Sequence, residues 1–343
     1  MSSFALRSFP AVLVIAVGCG LAAACAAASP PATETGGPVH SRSAEFSANS
    51  STGDRHMGIQ LLGLLSLRPV EFNDVPAVEL SGLAWDEDEG LLYAVSDQGA
   101  VLHIRPTFEN GTLAAARVIA AHRLTDTKGN ILKGDRTDSE GLVALNAKDG
   151  VRGNTALAVS FERSPRVSLF TPLGRKLRPI GIAATHRNIH AFRGRNRALE
   201  ALAHHPALGW LTGPERPMRG RTDYGIRDAK NRVWRLPPHG ATNASLVAME
   251  TLDDGGLLTL ERGFDLSTAT VIIALRRTEP LNLGNAGRVL SSDIVAVLDS
   301  REAVTVDNFE GLTHHRDNRY FIVSDDNQNF FQTTFLLYFA LTQ

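Results

Sequence analysis

Asp307-Asn308-Phe309-Glu310-Gly311-Leu312-Thr313-His314-His315, followed by Tyr320-Phe321-Ile322-Val323-Ser324-Asp325-Asp326-Asn327, is the stretch on which the fold turns. It reads as an acidic residue, a strand, a turn, a second strand and an acidic cluster. A related unit lies earlier, at Ser81-Gly82-Leu83-Ala84-Trp85 and Leu92-Tyr93-Ala94-Val95-Ser96-Asp97. Aligned on the acidic residue that ends the second strand, the unit recurs at Asp97, Glu162, Glu215, Glu261 and Asp325. The intervals are 65, 53, 46 and 64 residues, with a mean of 57.

A period near 50 residues with about four strands per unit is the pattern of a β-propeller. From Ile59 onward short apolar runs alternate with Gly, Asp and Asn turns, and no amphipathic helix is evident, so the expected class is all-β. A third strand follows each hairpin: Val101-Leu102-His103-Ile104, Val167-Ser168-Leu169-Phe170, Val233-Trp234-Arg235-Leu236, Val271 to Leu275 and Phe335-Leu336-Leu337-Tyr338. The last copy ends after its third strand, while Ile59 to Leu67 has no partner in its own copy. That strand is expected to supply the outer, fourth strand of the last blade and close the ring. Motif counting gives five four-stranded blades, with room for a degenerate sixth between Pro172 and Arg197.

An acidic residue also opens the first strand of several copies: Glu140, Glu200 and Glu310, with Ser81 in the first copy and no clear equivalent in the fourth. In an antiparallel hairpin the start of one strand lies beside the end of the next. Radial hairpins would therefore bring Asp97, Glu140, Glu162, Glu200, Glu215, Glu261, Glu310 and Asp325 to one rim of the central channel. Like charges so placed repel and raise one another's pKa, which a divalent cation would offset. Oxygen donors without cysteine or an organised histidine set favour a hard ion, calcium before magnesium. Taken singly, each acid could equally cap backbone N–H groups beside a turn. Arg163, Arg216 and Arg262 each follow such an acid. They could neutralise it, or bind a phosphate or carboxylate bidentately. His204, His205, His314 and His315 fall at the far ends of the first strands and read as hairpin-turn residues. No Gly-x-Ser-x-Gly, P-loop or dinucleotide fingerprint occurs.

The 343 residues carry 35 Lys and Arg against 36 Asp and Glu, which gives no reason to expect nucleic acid or an acidic membrane as partner. Both cysteines, Cys19 and Cys25, lie in the first 25 residues, so the remainder has no disulfide, thiol nucleophile or cysteine ligand. Arg7, the apolar run Ala11 to Val17 and the small residues that follow read as an export signal over 1–28. Two exits fit: cleavage after a small-x-small run, or lipidation at Cys25, which would be the only link to a membrane. The mature protein is expected to be periplasmic or anchored to a bacterial cell envelope. Residues 29–57, rich in Ser, Pro, Thr, Gly and Ala, read as a disordered linker, and 58–343 as the propeller domain.

Glu-Gly-Leu followed by Val-Ser-Asp or Phe-Glu-Arg, repeated along the chain, resembles the "esterase-like activity of phytase" family. The resemblance covers about residues 75 to 341. It rests on Leu80-Ser81-Gly82-Leu83-Ala84, Asp138-Ser139-Glu140-Gly141-Leu142, Ser160-Phe161-Glu162-Arg163, Asn308-Phe309-Glu310-Gly311-Leu312 and Val323-Ser324-Asp325-Asp326-Asn327. It implies an exported propeller and a hydrolase of phosphomonoesters or esters. Catalysis would fall to Glu140, Glu162, Glu310 and Asp325 with calcium, and anion binding to Arg163, Arg216 or Arg262, on a small anionic or ester substrate. A gluconolactonase-like lactone hydrolase and a non-catalytic calcium-binding propeller with a ligand or envelope partner are the alternatives. The expected state is a monomer.

Overall fold

The computed structural model describes residues 40–241, 243–302, 304–327 and 332–342. The export signal, Cys25 and the first part of the expected linker lie outside these residues. Five antiparallel sheets of at least four strands form a closed ring. Blade one is Leu80–Asp86, Leu91–Ser96, Ala100–Glu109 and Thr112–Arg123; blade two is Ser139–Leu145, Ala156–Phe161, Arg166–Phe170 and Lys176–Ile180. Blade three is Leu199–His205, Gly209–Pro214, Tyr224–Asp228 and Val233–Leu236; blade four is Ser245–Thr251, Leu257–Asp265, Thr270–Thr278 and Ser292–Asp299. Blade five is Asn308–Arg316, Arg319–Asp325 and Phe335–Leu341, completed by Ile59–Leu67 from the other end of the chain. The first strand of every blade lies at the axis and touches the first strands of both neighbouring blades.

A middle strand is covered by blades on both faces, so it reads as a continuous apolar run; Leu91–Ser96 is buried at every position. An apolar seam fills each junction between blades. The largest joins blades five and one through residues such as Leu65, Leu83, Leu102, Phe321 and Tyr338. The smallest, between blades two and three, buries Ala158, Val167, Leu169, Ile180, Ile182, Leu199 and Leu202, with Val143, Leu145, Ala156 and Trp210 packed half-buried against them.

Closure follows the expectation. Ile59–Leu67 pairs antiparallel with Phe335–Leu341, with Leu337 opposite Leu64 and Leu341 opposite Ile59. A bulge at Leu62 reverses the side-chain alternation, so Ile59, Leu61 and Leu64 pack toward blade four while Leu62, Leu65 and Leu67 pack toward blade one. Gly63 has φ +138°, and a Cβ there would stand 2.6 Å from the Leu113 carbonyl oxygen.

Three expectations are corrected. Among the described residues there is no sixth blade. Lys176–Ile180 is the outer strand of blade two, and Ala184–Arg187 and Ile189–Ala191 are single helical turns on the way to blade three. Val233–Leu236 is the fourth strand of its blade, because Tyr224–Asp228 intervenes. Residues 40–57 are not a linker. Ser41–Ser43 pairs with the outer edge of Ile59–Leu67, Arg55–His56 pairs beside it, and Phe46 is buried in the seam between blades four and five.

The inner strands approach most closely at Gly82, Gly141 and Gly311, each of which follows a rim residue. A Cβ on Gly82 would lie 2.1 Å from the Glu140 carbonyl oxygen, and one on Gly141 would lie 2.8 Å from that of Glu200. Two predictions follow from closure and from this approach. Ile59–Leu67 buries six large aliphatic side chains. At ~2 kcal/mol each, their loss rivals the roughly 5–15 kcal/mol net stability of a domain. A chain starting at residue 69 is expected to fail to fold by circular dichroism and size exclusion, whereas one starting at residue 40 keeps the full-length melting temperature. Gly82→Ala should cost about 1–3 kcal/mol or more in denaturant titration. Gly181→Ala, where a Cβ meets nothing within 4 Å, should cost little.

Candidate functional site

All five inner strands carry a β-bulge at the same place. The ladder steps over Ser81 in blade one, Glu140 in blade two, Glu200 in blade three, Val247 in blade four and Glu310 in blade five. A bulge re-aims the side chain of the extra residue. Here it turns the acidic residue of three blades into the channel mouth, with Ser81 and Val247 in the equivalent positions. Val247 is the counterpart that sequence alignment left blank. The second strand of each hairpin ends alongside, as when Asn308 pairs with Asp325.

Asp97, Asp138 and Glu140 form the tightest group. Each offers one carboxylate oxygen, and these oxygens lie within 4.8 Å of one another. Ser81 Oγ donates to Asp97 Oδ1. Asp138 lies outside the repeat that defines the expected site residues. Its signal is positional: two residues before the bulge stand Glu79, Asp138, Ser245 and Asn308 in four of the five blades. Glu162 hydrogen-bonds Asp138 and accepts from the Ala198 backbone N at 2.8 Å. Arg163, 41% exposed, lies 3.4 Å from Asp138 and donates to Asn196 at 3.1 Å.

On the opposite side Arg262 is the hub. It lies 2.5 Å from Glu310 and 3.5 Å from Glu215, and donates to Asn308. The Asn308 amide in turn donates to Glu310 at 3.0 Å and Asp325 at 3.3 Å. Glu215 Oε1 accepts from Ser245 Oγ at 2.7 Å, whereas its Oε2 is buried with no hydrogen-bond partner. Arg216 lies 3.6 Å from Glu215, and its buried Nε also lacks a hydrogen bond.

Burial dominates the electrostatics. Desolvation, followed by the charges of neighbouring acids, holds Asp97, Glu140 and Glu200 well above the usual carboxylate range. The same cause lifts Glu162 to about 9 and Asp325 to about 8. Glu310 is raised by burial despite the opposing pull of Arg262. The Arg262 guanidinium is held above its ordinary value because the attraction of Glu310, Glu215 and Glu200 outweighs its own desolvation.

Glu261 is a correction to the expected set. It lies inside the strand Leu257–Asp265, where adjacent side chains point to opposite faces, so Arg262 takes the channel side. Glu261, 1% exposed, is spent on Arg276 at 2.6 Å and on the His239 backbone N at 2.6 Å. The histidine pairs sit at the other end of the channel as turn and packing residues. His205 Nδ1 accepts from the Ala207 and Leu208 backbone N–H groups, and His315 Nδ1 pairs with the Tyr338 hydroxyl.

The residues fit a hard cation. Calcium takes oxygens at 2.3–2.6 Å, so oxygens sharing one ion lie within about 5 Å of each other. The Asp97–Asp138–Glu140 group meets that condition. Without a cation the raised pKa values carry a pH signature. Their stabilising share is complete below the ordinary carboxylate values and is lost as pH rises through about 8 for Asp325 and about 9 for Glu162. Chelator-treated protein should therefore melt several degrees lower at pH 9 than at pH 5 in scanning calorimetry. Glu162→Gln should flatten that slope. A melting temperature independent of pH would contradict the electrostatic account.

The model of the family described as "Esterase-like activity of phytase" matches residues 76–328. No curated protein matches the chain. Among solved structures, YCF48 from Cyanidioschyzon merolae is similar over 88% of this chain and 96% of its own, with 12% identity and a TM-score of 0.41. A gluconolactonase from Xanthomonas campestris is similar over 90% of this chain and 99% of its own, with 13% identity and a TM-score of 0.41. The β-propeller domain of Swd1 from Myceliophteria thermophila is similar over 86% and 98%, with 9% identity and a TM-score of 0.37. Since the family model spans most of the propeller, from 76 to 328, the chain belongs to the phytase-like, esterase-like activity of phytase family.

Proposed function

We propose that the channel mouth is the active site of a metal-assisted hydrolase of anionic esters, phosphomonoesters foremost. The observation that carries this reading is the Asp97–Asp138–Glu140 oxygen cluster at the same desolvated mouth as the Arg262 guanidinium, with Glu310 acting on both Asp97 and Arg262. Family membership supports hydrolysis as the reaction class. Asp97, Asp138 and Glu140 would hold the ion. When bound, a calcium ion there would polarise the ester oxygen and lower the pKa of a coordinated water.

The chain's own groups divide the remaining work. Arg262 and Arg216 present fork-shaped donors to the anionic oxygens and offset charge that builds up on them. Glu310 and Asp325 act on these groups indirectly, by fixing Arg262 and Asn308 through the hydrogen bonds above. Glu162, whose carboxyl pKa is raised by burial and which hydrogen-bonds Asp138, is placed to give a proton to the departing oxygen. Arg163 holds Asp138 from the solvent side. The first 28 residues support export, to the periplasm or to a lipid anchor at Cys25.

Calcium should raise the melting temperature of chelator-treated protein at pH 8, and turnover of p-nitrophenyl phosphate or acetate should require it. Glu140→Gln and Asp97→Asn are expected to lose the calcium effect on melting and at least ~10²-fold in kcat/KM. Arg262→Gln should lower kcat/KM while keeping calcium-dependent melting. Absence of any calcium effect on melting or rate would overturn the reading. A stabilised protein silent toward phosphate, carboxylate and lactone esters would be a binding propeller instead, and one active only on lactones a lactone hydrolase.

A further inference from the structure

Blade four departs from the other blades in one respect. Their second strands stop at or beside the rim, at Ser96, Phe161, Pro214 and Asp325, whereas Leu257–Asp265 runs four residues past Glu261, the rim position in the sequence repeat. Its partner Thr270–Thr278 rises with it, pairing Asp265 with Thr270 and Phe264 with Val271. The hairpin forms a wall standing above the mouth. Arg262 and Phe264 are two residues apart on one strand, so both project from the same face, about 7 Å from each other along the chain. Val271 is the cross-strand partner of Phe264 on that face.

This wall bounds a cleft of about 720 Å³ that opens onto the mouth. Arg216, Arg262 and Asn308 line its inner end, and Phe264, Val271 and Val306 line an apolar side. Phe264 is left 40% exposed. Arg216 and Arg262 are near enough for each charge to act on the other, with Arg216 Nε turned inward to Glu215 at 3.6 Å. Two adjacent guanidiniums favour one anionic group. Asp307 also lines the cleft and, among the described residues, the two arginines are its only cations, which disfavours a ligand of many charges.

We infer that the substrate is an amphipathic ester, with a single anionic group held by Arg216 and Arg262 and an aromatic or branched apolar group lying against Phe264, Val271 and Val306. The inference deepens the hydrolase reading above and rests on it. The ester bond would lie between the two groups, within reach of the rim carboxylates. A small polyol phosphate would use only the arginine end, and inositol hexakisphosphate would meet both the apolar wall and Asp307.

Calorimetric titration of the calcium-loaded protein with 1-naphthylphosphonate and methylphosphonate tests the cleft without any chemical step. The naphthyl compound should bind at least tenfold more tightly, and Phe264→Ser should remove about tenfold of that preference while leaving methylphosphonate binding unchanged. In turnover, Phe264→Ser should raise KM for 1-naphthyl phosphate with kcat and the rate on glycerol phosphate little altered. Because Phe264 is 40% exposed near the tip of a hairpin, the variant should lose little in melting temperature. Equal affinity for the two phosphonates, no phosphonate binding, or inositol hexakisphosphate as the best substrate would each overturn the inference. In the last case hydrolysis itself survives; loss of all calcium-dependent turnover would instead sink the hydrolase reading.

Discussion

The close approach of the inner strands at the channel mouth is the constraint from which the rest of the molecule follows. Five strands converge there so tightly that no side chain fits at position 82, where a Cβ would overlap the backbone of the neighbouring blade. The ring can only close if each strand yields at that point, and it does so through a bulge followed, in three blades, by glycine. The same bulge delivers Glu140, Glu200 and Glu310 into a narrow, desolvated space. Packing and electrostatics are thus one fact. The geometry that excludes a methyl group from the backbone also excludes water from the carboxylates and forces their charges together.

Crowding of that kind demands compensation, and the molecule uses three sorts. Glu261 is withdrawn into blade four and neutralised by Arg276, a buried pair with well-formed hydrogen bonds on both carboxylate oxygens. Glu310 and Glu215 share the charge of Arg262. Among the described residues Asp97, Glu140 and Glu200 make no ion pair, although Arg262 draws on Glu200 at longer range, and Asp138 has Arg163 at its solvent side. There burial keeps protons on, or invites a cation. This graded arrangement separates a region able to hold positive charge from a region already rich in it. That is the polarity needed to bind an anionic ester and act on it.

Much of this was legible in the sequence. The interval between acidic strand ends revealed the blades, and the pairing of strand starts with strand ends revealed the rim. The unpartnered run Ile59 to Leu67 revealed the closure. These are one-dimensional features, since a blade is a local unit whose hairpins pair neighbours in the chain. The misreadings share a different character. The low-complexity run before Ile59 looked unable to fold alone, yet Ser41–Ser43 borrows a ladder and Phe46 a seam from blades distant in the chain. Tyr224–Asp228 was passed over because its strand is short and carries Gly225 and Arg227.

What the sequence by itself determined was the position of five hairpins, the end of each at which acids collect, and the hard-oxygen character of that end. Only the tertiary structure decided which acids are spent and which are available. A strand side chain's direction depends on parity, and a bulge reverses parity. The bulges here arise from contact between neighbouring blades and leave little mark on the local residues. So Glu261, though in the repeat, turns from the channel toward Arg276, while Asp138, outside the repeat, turns into it. The height of the blade four wall was equally hidden. Nothing in Arg262-Gly263-Phe264 says that the hairpin continues past the rim until its partner strand is seen beside it.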